Sequence, residues 1–241
     1  MQEHDIQKRT YRRFSVLHRF IHLVVMIGFL GLAVTGFSLA FSECDLSKFF
    51  MWLVGGQANA AFLHHFFALI TYLCVLIHVI YFIYYKLGLK QNFSHPQSIL
   101  PQKYDLEHLK EHFLYFLARK ETPPKFNRFT YLEKIDYWSF FIGMNTMGIT
   151  GLLLLYPEFF TRFLPGYFIN IAGILHFYEA ILAVTIKIVI HSIMVHLRPS
   201  VYPLDKSIFT EKIPIEHMQK EHPGEWEYLV EQQSSYAPEN Q

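Results

Sequence analysis

Four long apolar runs dominate the hydrophobic pattern of this chain, at roughly residues 16–41, 59–85, 135–157 and 167–196. Each can cross a hydrocarbon core as a helix, which takes about 20 residues. Gly55-Gly56 marks the turn before the second run, and Tyr156-Pro157 closes the third. Between the second and third runs, Leu106, Leu109, Phe113, Phe116 and Leu117 recur at helical spacing, with Asp105 as the expected N-cap. This predicts an amphipathic helix, lying at a membrane surface or packed on a partner subunit. The pattern as a whole predicts an all-α integral membrane fold, a four-transmembrane-helix bundle. It divides the chain into an N-terminal tail (1–15), a transmembrane domain (16–198, with the amphipathic loop 87–133) and a polar tail (199–241) without a strong pattern. No internal repeat or low-complexity tract is evident.

Composition agrees: 52% of the 241 residues are hydrophobic and 17% aromatic, too apolar for an ordinary soluble domain. A formal net charge of +1 excludes a nucleic-acid binder held by bulk electrostatics. The N-terminus lacks the short apolar core and small-residue cleavage site of a removable signal, so a tail ahead of a retained first span is expected. Lysine and arginine then orient the bundle. Eighteen lie before the first span, between the second and third, or after the fourth, against two (Lys48 and Arg162) in the other connections. Both termini are therefore expected to be cytoplasmic.

Five histidines lie within these apolar runs: His22, His64, His78, His176 and His191. Polar side chains at membrane depth are costly and need a partner or a task. The 14 residues from His64 to His78 return to within about 40° of one helix face, and the 15 from His176 to His191 to within about 60°. Each of these helices thus presents two imidazoles at two depths. With the expected orientation, His64 and His176 form an outer pair. His191 pairs with an inner histidine, either His78 or His22. Two flat metal cofactors, one above the other, fit this pattern, and haem is the first candidate. Histidines on both faces of haem give six-coordinate iron suited to electron transfer rather than oxygen binding. Cys44 and Cys74 form no C-x-x-C-H signature, so any haem is non-covalent; two thiols also exclude an iron–sulfur cluster. Gly28, Gly31, Gly36, Gly143, Gly148 and Gly151 would admit a macrocycle or serve helix packing equally well. His18 lies one turn before His22, while His65 and His196 fall about 100° and 140° off the faces of their neighbours. His4, His95, His108, His112, His217 and His222 are expected to face solvent.

Several short motifs carry a resemblance. Arg19-Phe-Ile-His22 followed by Thr35-Gly36 is similar to an R-x-x-H helix with a later small-Gly pair, and Leu63-His64-His65-Phe66-Phe67 to L-H-P-F-F-G. Lys125-Phe-Asn-Arg, Lys134 and Tyr137-Trp138, then Thr150-Gly151, resemble the approach to a third span. Glu221-His222-Pro223 with Trp226 resembles a late H-H-P-x-W. Together they resemble the dihaem cytochrome b subunits typified by the formate dehydrogenase gamma subunit and the nickel–iron hydrogenase b-type subunit. That resemblance implies two haem b groups, the outer on His64 and His176, the inner on His22 and His191. The H-x13-H and H-x14-H helices also resemble cytochrome b of bc-type complexes, where the second and fourth helices supply every ligand. That likeness makes His78 the inner ligand instead of His22, and the alternatives stay open. A third haem using the spare histidine is a further option.

The resemblance implies a membrane anchor and electron-transfer subunit of a hetero-oligomeric respiratory complex in the bacterial inner membrane. It would link a periplasmic redox subunit, iron–sulfur or multihaem, to quinone. Residues Phe126–Asp136 and the end of the first span near His18 would line the quinone. Arg19 would pair with a haem propionate or a lipid phosphate, Lys187 with a propionate, and Glu179 would have a proton or hydrogen-bond role. Two rivals come from other classes: a stand-alone quinone reductase using a small donor, and a histidine-lined metal or proton transporter.

Overall fold

The computed structural model describes residues 10–88, 95–197, 201–202 and 205–235. His4, Lys8, Arg9, Lys90 and Arg198, which enter the reading above, lie outside them. The described residues form two compact units. One comprises Val16–Ile83 and Ser139–Asp205; the other comprises the residues before Val16, Tyr84–Trp138, and those from Lys206 onward.

The first unit holds most of the four apolar spans. These are α1 (Val16–Ala40), α3 (Gln57–Ile83), α5 (Tyr131–Leu155, counted here from Ser139) and α7 (Tyr167–Val184), which continues as a π-helix over Thr185–His196. Each is long and apolar enough to cross a membrane, with mean hydropathy of 2.3, 2.4, 1.4 and 1.8 over its most apolar window. Packing in this unit is inverted relative to a soluble domain. Thr35, Thr71, Ala60 and Ala172 are buried, whereas Ile27, Ile142 and Ile174 point outward and are more than half exposed. Without a water-driven hydrophobic effect between helices, close packing and small or hydroxylated side chains hold a bundle together. Gly28 shows this: a Cβ there would collide with the Thr71 hydroxyl, and one at Gly31 with the Phe67 ring. These two glycines therefore set the close approach of α1 to α3.

Two short helices join the spans, α2 (Asp45–Val54) and α6 (Pro157–Phe160). The first ends at Gly55 and Gly56, whose φ of 87° and 111° are left-handed conformations suited to glycine. The turn expected there is present, while α2 itself was not expected. Its Leu46, Phe49, Trp52 and Leu53 form an exposed stripe. The third span starts at Tyr131, four residues before the apolar run suggests, because Thr130 and Glu133 form a reciprocal capping box of 3.1 and 2.8 Å.

The second unit is built around α4 (Lys103–Phe116), the first turns of α5, and three C-terminal helices: α8 (Ser207–Thr210), α9 (Ile215–Glu221) and α10 (Pro223–Ser235). A two-stranded antiparallel ribbon joins its ends, β1 (Thr10–Arg12) with β2 (Lys212–Pro214), placing Tyr11 opposite Ile213. Among the described residues, otherwise α-helical, there is thus one short β pair, and residues 205–235 of the polar tail fold. Helix α4 matches the expected amphipathic segment, but its N-cap is Gln102. Asp105 is instead the third helical residue, accepting the Gln102 N–H at 2.6 Å. Its carboxylate also receives the ammonium of buried Lys134 at 2.9 Å. The apolar stripe of α4 is exposed, with Leu106 and Phe116 more than 70% accessible.

Two motifs that the sequence places far apart meet in this unit. His222, expected in solvent, is buried and donates from Nδ1 to the Asn127 carbonyl at 2.8 Å, while the Gly224 N–H donates to the Phe126 carbonyl. Beside them, buried Glu225 lies 2.9 Å from Arg128 and 3.7 Å from Arg13. His95 pairs with the Tyr228 hydroxyl, and His112 with that of Tyr131. Burial pushes the imidazoles of His108 and His112 below their ordinary pKa. Removing one member of a buried ion network leaves its partners charged and unpaired, at about 3–5 kcal/mol. Glu225→Ala is accordingly expected to unfold this unit while the spans persist. Limited proteolysis would then cut within 205–235, and unchanged protection would refute the expectation.

Candidate functional site: a histidine-lined cavity among the four spans

His64 on α3 and His176 on α7 face one another, with ring centres 6.4 Å apart and planes at 67°. Each is held in the same way by a neighbouring helix. The Thr35 hydroxyl on α1 lies 3.0 Å from His64 Nδ1, and the Thr150 hydroxyl on α5 lies 3.0 Å from His176 Nδ1. The residue after each threonine is a glycine facing the same ring. A Cβ at Gly36 would lie 3.1 Å from His64 Cε1, and one at Gly151 would lie 3.3 Å from His176 Cε1. A side chain at either position would press on the imidazole.

The hydroxyls determine which ring nitrogen carries the proton. Each has one proton to donate. Thr35 gives its proton to the Gly31 carbonyl at 2.6 Å, and Thr150 to the Thr146 carbonyl at 2.7 Å. With that proton so placed, each hydroxyl is left as an acceptor for its histidine, which favours the ring proton on Nδ1. Nε2 keeps its lone pair, the state a metal ligand requires.

The two rings open on a cavity of about 790 Å³, lined from all four spans. That volume lies within the usual range of cofactor pockets, about 300–1,000 Å³. Its wall is mostly apolar, and its polar members include His64, His65, His176, Glu179 and Lys187. His65 thus reaches the same cavity despite its offset from His64. The glycines divide by role. Gly36, Gly143, Gly148 and Gly151 line the cavity, with Gly143 making room for the Glu179 carboxylate and Gly148 for the Tyr72 ring. The Lys187 ammonium sits 5.3 Å from the Phe140 ring centre, a cation–π distance.

The remaining span histidines also sort by position. His22 lies one helical turn after His18 on α1. His78 faces His18, with ring centres 6.4 Å apart. His196 meets His191 edge-on, with ring centres 5.6 Å apart. Helical spacing of 3.6 residues per turn separates those two, but a π-helix, with its i→i+5 repeat, puts them on one face. Sequence reasoning gave His18 and His196 too little weight, and the H-x4-H spacing of His191 and His196 was the available signal for the second. The positions expected to line a quinone belong to different units, Phe126 to Asp136 in one and His18 in the other.

The His64–His176 ring separation can be set beside the distances that metal ligation would require. With each nitrogen about 2.0–2.1 Å from the metal and the ring centre ~1.1 Å behind it, imidazoles on opposite sides lie ~6.3 Å apart. At a tetrahedral angle the same arithmetic gives ~5.1 Å. The observed 6.4 Å lies at the opposite-side value rather than the tetrahedral one. Among the described residues, no group of three or more His, Cys, Asp or Glu side chains can hold an ion together.

The fold and the cavity define a class: a helical, multi-pass membrane protein with four candidate spans and paired intramembrane histidines. Compared with protein-family models and with curated protein sequences, the chain matches none.

Proposed function

We propose that this chain is a b-type cytochrome that holds two haems non-covalently. It serves as the membrane anchor and electron-transfer subunit of a larger respiratory oxidoreductase. In this reading it lies in the bacterial cytoplasmic membrane with both termini inside, linking a periplasmic redox subunit to the quinone pool. The observation that carries the proposal is the repeated Thr–His construction, which engages Nδ1 of both rings and sets the two imidazoles, 6.4 Å apart between ring centres, on one cavity. Structural histidines do not need that shared tautomer.

When bound, haem supplies reversible one-electron iron chemistry. His64 and His176 would hold one group, and His191 with His22 the second. Thr35 and Thr150 fix the ligand tautomer, while Gly36 and Gly151 leave room beside the rings. The apolar wall excludes water from the site. Lys187 can neutralise a propionate, and Glu179 can hold a proton within the cavity.

The full chain, purified in detergent, should give a reduced-minus-oxidised spectrum with a b-type α band and at least two haems per chain. A protein without haem would overturn the proposal and favour the histidine-lined metal or proton transporter. Quinone turnover by the isolated chain with a small donor would point to a self-contained reductase.

A further inference from the structure

Helix α2 takes no part in the histidine cavity, yet both its ends are tied down. Only residues 41–44 separate it from the end of α1, and only Gly55 and Gly56 from the start of α3. The Cys44 N–H donates to the Phe41 carbonyl at 3.0 Å, closing the first connection. At the other end the Asn59 side chain, on the first turn of α3, donates to the Val54 carbonyl at 2.9 Å. A Cβ at Gly55 would collide with that same amide. A helix tied so closely to two candidate spans lies at the level where both leave the apolar layer.

The residues of α2 divide into three sectors. Ser47, Phe50, Met51 and Val54 span about 100° of the helix circumference. They are its least exposed residues, with Ser47 buried, so this sector packs on the ends of α1 and α3. Leu46, Phe49 and Leu53 fill a sector about 60° wide, centred about 120° to one side. All three are more than half exposed. Asp45, Lys48 and Trp52 fill the third sector, where Lys48 reaches Glu43 at 3.5 Å in an exposed pair. Trp52 stands between the charged and apolar sectors, its ring centre 6.0 Å from that of Phe49.

The direction of the apolar sector separates one occupant from another. A protein seated on the end of the bundle would meet the face opposite the packed one, and that face carries Asp45 with Lys48 and Trp52 beside it. Leu46, Phe49 and Leu53 point to the side, where a helix at the end of a span meets lipid. Tryptophan, with an apolar body and a polar N–H, is favoured at the boundary between acyl chains and headgroups. We infer that α2 is an in-plane membrane anchor. Leu46, Phe49 and Leu53 enter the acyl region of the leaflet where α1 ends, Trp52 sits among the headgroups, and Asp45 and Lys48 stay in water. The inference rests on the spans crossing a membrane and is independent of haem. It also sets a depth: His64 lies seven residues beyond Gln57 on α3, ~10 Å below the level that α2 holds.

The full chain in phosphatidylcholine vesicles, at a high lipid-to-protein ratio, tests the anchor. Nitroxide labels would be placed singly by Leu46→Cys, Phe49→Cys and Leu53→Cys, with Lys48→Cys as the water-facing control. Cys44 is exposed and is first changed to serine, whereas Cys74 is buried. Power-saturation EPR should find the first three labels more accessible to oxygen than to a water-soluble nickel chelate, and the fourth the reverse. Equal nickel access at all four positions would overturn the anchor. Exclusion of both reagents from the three apolar positions would overturn it too, since a second copy rather than lipid would then cover them. Should the cysteine variants fail to accumulate, the wild-type chain can be photolabelled from a phospholipid carrying its reactive group near the glycerol. Adducts within 46–53 are expected, and adducts confined to the four spans would refute the anchor.

Discussion

Replacing His64 with alanine is expected to remove one whole haem, and His176→Ala to remove that same haem. The two imidazoles face each other at 6.4 Å and share one cavity. In the proposed cytochrome, losing either would leave the group held by a single histidine beside an apolar wall. Residues that act as a unit give non-additive effects. The double variant should therefore lose no more haem than either single variant, with one low-spin EPR signal absent in all three. A bound group also stabilises the fold by mass action, about 4 kcal/mol at 1,000 times its Kd. The single variants should unfold at lower temperature in the haem-loaded comparison and at nearly the same temperature without haem. Loss of different signals by the two single variants would show that the histidines serve separate irons.

Thr35→Val and Thr150→Val should have the next largest effect, although neither threonine would touch a metal. Valine keeps the shape and removes the acceptor that fixes Nδ1–H. The imidazole is then free to present the wrong tautomer, and its Nδ1–H loses a buried partner. Substitution of such outer partners costs about 10–100-fold in metal affinity. Faster transfer of haem to an acceptor such as apomyoglobin would measure it. The hydrogen bond raises ligand basicity, which favours the more highly charged ferric iron. Its removal should therefore raise the midpoint potential of that haem. Thr35→Ser and Thr150→Ser keep the hydroxyl and should behave as wild type. Unchanged retention and potential in the valine variants would reduce these hydroxyls to helix-packing groups.

The spans were legible because lipid demands long apolar stretches and the chain supplies four. The facing of His64 and His176 followed from helical periodicity combined with charge orientation, which gives direction and depth. Periodicity failed where the helix itself changed. Over Thr185–His196 the repeat lengthens, and His196 comes onto the face of His191. Hydropathy also missed the start of the third span, because a polar capping box at Thr130 and Glu133 begins the helix ahead of its apolar part. The fold of the C-terminal segment was invisible for another reason. Its order comes from pairing Lys212–Pro214 with Thr10–Arg12 and burying His222 against Asn127, contacts that no local pattern encodes. The glycines could be named from the sequence but not sorted. Only the neighbours show that Gly28 and Gly31 draw helices together while Gly36 and Gly151 face imidazoles.

The repeated Thr–His construction has a consequence for biogenesis. Helices α1 and α3 carry one hydroxyl and one imidazole, and α5 and α7 carry the other of each. The site is therefore a seam between two hairpins, and neither hairpin contains a complete grip. With α1 and α3 alone in place, the first hairpin would present only one of the two proposed ligands, His64 on its Thr35 partner. In the proposed cytochrome, both ligands would be present only once the last helix is in place, so the cofactor would close the bundle and register that all four helices are assembled.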